Sequence, residues 1–177
     1  MLEPTCDSGL PSLSQTTAML PIPVWTGPRP RATMRQILHE ARMTQSARDT
    51  VTAYYAAFNA ENPTGMLACV TDGIEHRVNE GGIRLGREKF AEFCAHMGVS
   101  YREQLKDIEI FVNQAGTRAA AEFVVHGAYL KTDPGLPEAR GQNYILPAGS
   151  FFDLKDGKIS RITTFYNLND WIAQVST

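Results

Sequence analysis

Cysteine is scarce: Cys6, Cys69 and Cys94 are odd in number and widely spaced, which excludes a disulfide framework or a zinc knuckle. Basic clusters are lacking too. The 17 Lys and Arg against 19 Asp and Glu give a net charge of -2, and the cations are scattered singly, so no stripe exists to neutralise a run of phosphates, and nucleic acid is not expected as a partner. No apolar run approaches the roughly 20 residues that cross a bilayer. The N-terminal stretch has no basic start, and its best apolar segment, Ala18 to Trp25, is broken by Pro21 and Pro23, against a secretory signal. GGIRLG lacks the strand-to-helix setting of a phosphate cradle. These absences predict a cytoplasmic protein without a membrane partner or nucleotide cofactor.

What is present suits one packed domain: 177 residues, 43% of them hydrophobic, bury a sizeable core. Residues 1–42 differ in composition, with Pro4, Pro11, Pro21, Pro23, Pro28 and Pro30 among Ser, Thr and Gly. They read as a loose Pro-rich arm, and Met34 or Met43 is an alternative translation start. Residues 43–177 form the domain. Only Met34 to Arg42 within the arm has helical composition.

Order is expected from Ser46, in capping-box spacing with Asp49, into a helix whose buried stripe is Val51, Tyr54, Tyr55 and Phe58. Asn62-Pro63 opens a second short helix. Ile74 to Asn79 reads as a strand, Gly81-Gly82 as its turn and Ile83 to Leu85 as the return. A third helix carries Phe90, Phe93, Cys94 and Met97, with Gly98 as its stop. Strands over Glu103 to Asn113, Thr117 to Leu130, Asn143 to Leu154 and Lys158 to Asn167 form an antiparallel meander, and Asn169 caps a last turn bearing Trp171, Ile172 and Val175.

Three stretches, AYYAAFNAENPTGMLACV, HRVNEGGIRLGREKF and GSFFDLKDGKISRITTFYNLNDWI, together resemble the ketosteroid-isomerase-like (SnoaL-like) branch of the nuclear transport factor 2-like fold. AAAEFVVHGAYL and GLPEARGQNYILPAG resemble the ketosteroid isomerase-related proteins within it. The resemblance covers about residues 46 to 175 and implies an α+β cone: a curved antiparallel sheet wrapped around a long N-terminal helix, with function inside. True steroid isomerases use a tyrosine, a carboxylate base and a protonated acid. Tyr55 matches the tyrosine. The base has no match in His76-Arg77-Val78-Asn79, and the late acid has none in Asn143 to Phe152, so the chemistry must use other residues.

Alternation on Thr117 to Leu130 separates Ala121, Phe123, Val125 and Tyr129 from Ala120, Glu122, Val124, His126 and Ala128. Parity leaves open which set lines the cone. If the mixed set does, Glu122 and His126 form a carboxylate-oriented imidazole base; His76 is the other candidate base, with Asn79 as donor to a carbonyl. His76, Glu122 and His126 also make a two-histidine, one-carboxylate set, but without the tight spacing of a metal motif, and no metal is expected. Tyr166, Trp171 and Phe58 are expected as an aromatic wall for substrate. Cys69 and Cys94 read as core residues rather than nucleophiles. The loop TDPGLPEARG is either a lid offering Arg140 to a ligand carboxylate or a solvated hairpin tip.

The resulting expectation is a cofactor-free pocket enzyme, of isomerase or dehydratase type, acting on a small apolar carbonyl compound. Glu122, His126, His76 and Tyr55 are its catalytic candidates, and Asn79, Tyr166, Phe58, Trp171 and Arg140 its substrate contacts. The alternative is a non-catalytic ligand-binding or dimerisation module. Under either, pairing through the open sheet face predicts a homodimer.

Overall fold

A computed structural model describes residues 32–177; the expected loose arm falls mainly on residues outside this range. The elements run α1 (Met34–Asn59), α2 (Pro63–Ala68), β1 (Val70–Val78), β2 (Arg84–Leu85), α3 (Arg87–Ser100), β3 (Tyr101–Val112), β4 (Arg118–Tyr129), β5 (Asn143–Lys155), β6 (Lys158–Tyr166) and α4 (Leu168–Val175). One curved, unclosed sheet in the order β2-β1-β6-β5-β4-β3 holds all six strands. This is the α+β cone.

α1 begins well before Ser46. A capping box exists, but Thr33 and Gln36 form it: the Thr33 hydroxyl accepts from the Gln36 backbone N–H while the Gln36 side chain accepts from Thr33 N–H. Residues 34–42, placed within the arm despite their helical composition, are therefore the first turns of α1. The first half of the helix is tied to the β3–β4 turn, where Thr44 Oγ1 donates to the Gln114 carbonyl over 3.0 Å. Gly116, at φ 65°, fits there because a Cβ would lie 2.5 Å from the Met43 carbonyl oxygen. Val51, Tyr54 and Tyr55 are buried as the stripe requires.

Two stops differ from expectation. Gly98 is interior to α3, which runs on to Ser100 and passes straight into β3, so no left-handed residue is needed. Asn167, not Asn169, caps α4, accepting from Asp170 N–H at 3.2 Å. The β3-β4-β5-β6 meander is antiparallel, as expected. β1 instead lies parallel to β6, with His76 beside Ile162 and Val78 beside Thr164, because the chain returns to β1's far edge only after its longest excursion.

Bulges curve the sheet. The one with most consequence falls between Lys106 and Glu109 of β3, where Asp107 sits at φ 53°; Asp tolerates that backbone region better than most side chains. Before the bulge Tyr101, Glu103 and Leu105 point inward. After it Ile108, Ile110 and Val112 do, so one extra residue switches the inward parity.

Candidate active site in the cone

Between the concave face of the sheet and α1, α3 and α4 lies a cavity of about 590 Å³, within the range that holds a small-molecule ligand. Parity on β4 is resolved: Ala121, Phe123, Val125 and Tyr129 are buried on the concave side, with Phe123 and Val125 lining the cavity, while Glu122 is exposed and His126 half-buried on the convex side. The Glu122–His126 base therefore does not line the cavity. Packing decided it, since the fully apolar set covers α1 at lower cost than a carboxylate and an imidazole would. The two-histidine, one-carboxylate set fails for the same reason: His76 is inside and its two partners are outside. Among the described residues no His, Cys, Asp and Glu cluster is arranged to hold a metal.

His76 and Tyr55 do line the cavity. His76 is only 3% exposed and its Nδ1 has no hydrogen-bond partner. Its ring packs against Phe90 and Phe93, with centroids 5.0 and 4.4 Å away. Burial first, and the nearby Arg84 charge second, push its pKa down to about 4, so the imidazole is neutral at pH 7. It is a hydrogen-bonding group there rather than a strong base. The buried Tyr55 hydroxyl also lacks a partner, and burial pushes its pKa well up, partly opposed by Ser150 beside it. It remains a protonated donor. Two unpaired polar groups facing one hollow are the kind of exception that calls for a ligand.

Three carboxylates line the cavity: Glu61, which is exposed, and the half-buried Glu103 and Asp133. Glu103 accepts a short hydrogen bond from the Tyr144 hydroxyl. Desolvation pushes its carboxyl above the usual range, and the Tyr144 bond holds it back. Asp133 accepts from the Tyr101 hydroxyl at 2.7 Å and is 3.0 Å from His96 Nε2, while its own N–H donates to the Tyr129 hydroxyl at 2.8 Å. Sequence reasoning missed both. Glu103 was hidden because straight alternation from Ile108, Ile110 and Val112 puts it outside; only the shift of apolar parity around Asp107 signals that it faces in.

Of the expected substrate contacts, Phe58, Tyr166 and Trp171 line the cavity. Trp171 packs edge-on to Tyr129, 4.9 Å between centroids, and closes the hollow. Asn79 does not line it. Its Oδ1 accepts from Tyr166 N–H at 2.9 Å, which spends the side chain on joining the end of β1 to β6. Arg140 is exposed and away from the cavity; the loop offers Asp133 and Leu136 instead, because the Asp133 carboxylate is drawn in by three partners, His96, Ser100 and Tyr101. Cys94 is pushed up to about 11 by burial and Cys69 is raised by the same cause, as expected of core thiols.

A curved sheet wrapped on a helix, open at one end and carrying polar groups in an apolar hollow, defines an NTF2-like pocket protein. The chain belongs to the SnoaL-like domain family, whose model matches residues 51–162. It is 60% identical to a proposed polyketide cyclase from Silicibacter sp. TM1040 of known structure, covering 75% of this chain and 97% of that one with a TM-score of 0.73. A second proposed polyketide cyclase, from Xanthomonas campestris pv. campestris, is 51% identical, covering 76% of this chain and 99% of that one with a TM-score of 0.73. An NTF2-like protein from Burkholderia xenovorans LB400 is 15% identical, covering 76% and 98%, with a TM-score of 0.61, and shows the fold alone. No curated protein matches the chain. No helix among the described residues is long and apolar enough to cross a membrane.

Proposed function

We propose that the chain catalyses cofactor-free proton transfer on a small apolar carbonyl compound, as an isomerase, a dehydratase or the ring-closing enzyme that its relatives' names suggest. The observation that carries this is a carboxylate and an unpaired phenol facing one apolar cavity: Glu103, raised toward neutrality, and Tyr55, a donor without a partner. Glu103 takes a proton from the carbon beside the carbonyl, and its carboxylate becomes the acid. The electron pair moves onto the carbonyl oxygen, where the Tyr55 hydroxyl donates to the enolate. The enolate carbon then recovers a proton from Glu103 at a different position, or attacks a second carbonyl while Glu103 protonates the new alkoxide. Either route returns the carboxylate. Neutral His76 supplies a second hydrogen-bonding group, and Phe58, Tyr166 and Trp171 hold the apolar body.

The experiment needs no natural substrate. Exchange of the α-protons of 2-tetralone for deuterium, followed by proton NMR in D2O, is faster with the protein than in buffer. Glu103→Gln removes this by about 100-fold or more. Exchange no faster than in buffer overturns the reading.

A second observation supports the homodimer. The convex face presents Phe111, Phe151 and Phe165, each about half exposed, and the Phe151 and Phe165 rings meet edge-on at 6.1 Å. Clustered aromatics on an open sheet face suit a second copy of the chain. Nothing in that pairing requires catalysis, so it serves the binding-module alternative equally.

A further inference from the structure

Two arginines line the cavity, and of these Arg102 is exposed while Arg84 is half-buried. It lies on the two-residue edge strand β2, opposite His76 in register, and together with Phe93 the two build one corner of the hollow. Its guanidinium carbon stands 4.5 Å above the centre of the Phe93 ring, while the His76 ring sits 4.4 Å from the same phenylalanine. One aromatic side chain thus fixes both polar groups. Among the described residues the basic groups Arg87, Lys89, His96, Arg118 and Arg161 each have an acidic partner. Arg84 has none, and its buried terminal nitrogen donates to nothing.

A buried guanidinium N–H without an acceptor is costly, because desolvation is not offset by any hydrogen bond. Stacking on Phe93 stabilises the face of the cation but leaves its N–H edge unsatisfied. The neighbouring imidazole, neutral and with Nδ1 unpartnered, adds polarity without charge. The corner therefore has a planar fork of donors and no anion, at one end of a hollow whose remaining walls are largely apolar.

We infer that the substrate carries a carboxylate, which docks on Arg84 beside His76 and so orients an apolar body along the cavity. The site then selects a carbonyl compound whose aromatic or alicyclic body also bears a carboxylate over the same body without the charge. Arg84 suits this geometrically, since a carboxylate accepts two parallel N–H bonds from one guanidinium. The inference rests on the reading above for the use of the cavity, and adds the class of compound it selects.

The test compares 2-naphthoate with 2-naphthamide, which differ in charge and little in shape, by isothermal titration calorimetry. The naphthoate binds tighter by ~10–100-fold, as a charged hydrogen bond in a desolvated site requires. Arg84→Gln abolishes the preference, and Arg84→Lys keeps part of it because the charge survives without the fork. A second measurement needs no variant: the Arg84 Nε resonance of the native protein moves on adding naphthoate and stays in place with naphthamide. Equal affinities, a preference that survives in Arg84→Gln, an unmoved resonance, or no binding of either probe overturns the assignment. Exchange of 2-tetralone without the carboxylate preference removes only this inference, and the preference without exchange removes only the proton-transfer reading.

Discussion

Tyr144 of β5 reaches across an entire strand to hydrogen-bond Glu103 of β3. It can do so because Gly127 of β4 lies between them in register, opposite both. A Cβ on Gly127 would stand 2.1 Å from the Tyr144 ring, so the ring lies where a side chain would be. The absence of one methyl group places a phenol on the proposed base.

Gly127→Ala follows from this. The new methyl displaces Tyr144, and overpacking of this kind destabilises by about 1–3 kcal/mol. Urea denaturation measures the loss, and Gly127→Ala/Tyr144→Ala recovers part of it if the clash is the cause.

Tyr144→Phe removes the hydroxyl that holds the Glu103 carboxyl down, so the Glu103 pKa rises. Carbon-13 NMR titration of the side-chain carboxyl reads it directly. The rate of 2-tetralone exchange shifts its acid limb to higher pH in the same direction.

Glu103 itself has a stability consequence. Its folded pKa is raised above the unfolded value, so the folded state prefers the protonated form; stability is full below the unfolded pKa and falls as pH rises through the folded one. Glu103→Gln, neutral throughout, keeps an acceptor for Tyr144 and escapes that fall. Thermal melts at acid and neutral pH show the variant gaining on the native protein as pH rises, which is the usual relation of a functional group to stability.

His76 has the opposite sign. Its folded pKa is lowered from 6.5 to about 4, so between these values the unfolded chain binds the proton and the folded one does not. Stability present above pH 6.5 is lost as pH falls toward 4, by up to about 3 kcal/mol. His76→Gln flattens this part of the pH profile of urea denaturation.

Phe151→Asp together with Phe165→Asp leaves the cavity untouched, since both side chains are on the convex face. If two copies pair there, sedimentation velocity shows a dimer for the native protein and a monomer for the variant.

The order of elements was legible because each has local determinants: the stripe Val51, Tyr54, Tyr55 and Phe58, the Asn62-Pro63 start, the turns between long strands. The site was half legible. Tyr55, His76, Phe58, Tyr166 and Trp171 fall on faces that periodicity defines, and all line the cavity. Glu122 and His126 were ambiguous because a strand has two faces and chemistry alone does not choose between them. Glu103 depended on a bulge whose only trace is an aspartate at a parity change, and Asp133 on tertiary donors from α3 and β3. The start of α1 was missed although Met34 to Arg42 has helical composition, because the Ser46–Asp49 spacing offered a later cap than the Thr33–Gln36 box that forms.

The parallel pairing of β1 with β6 has a bearing on synthesis. His76 and Thr164, which line the hollow from neighbouring strands, are joined only by closing a loop that contains most of the domain, an entropically slow step. On the ribosome the hollow cannot assemble until β6 has emerged, so a nascent chain has no means of capturing its ligand before nearly all of the domain is made.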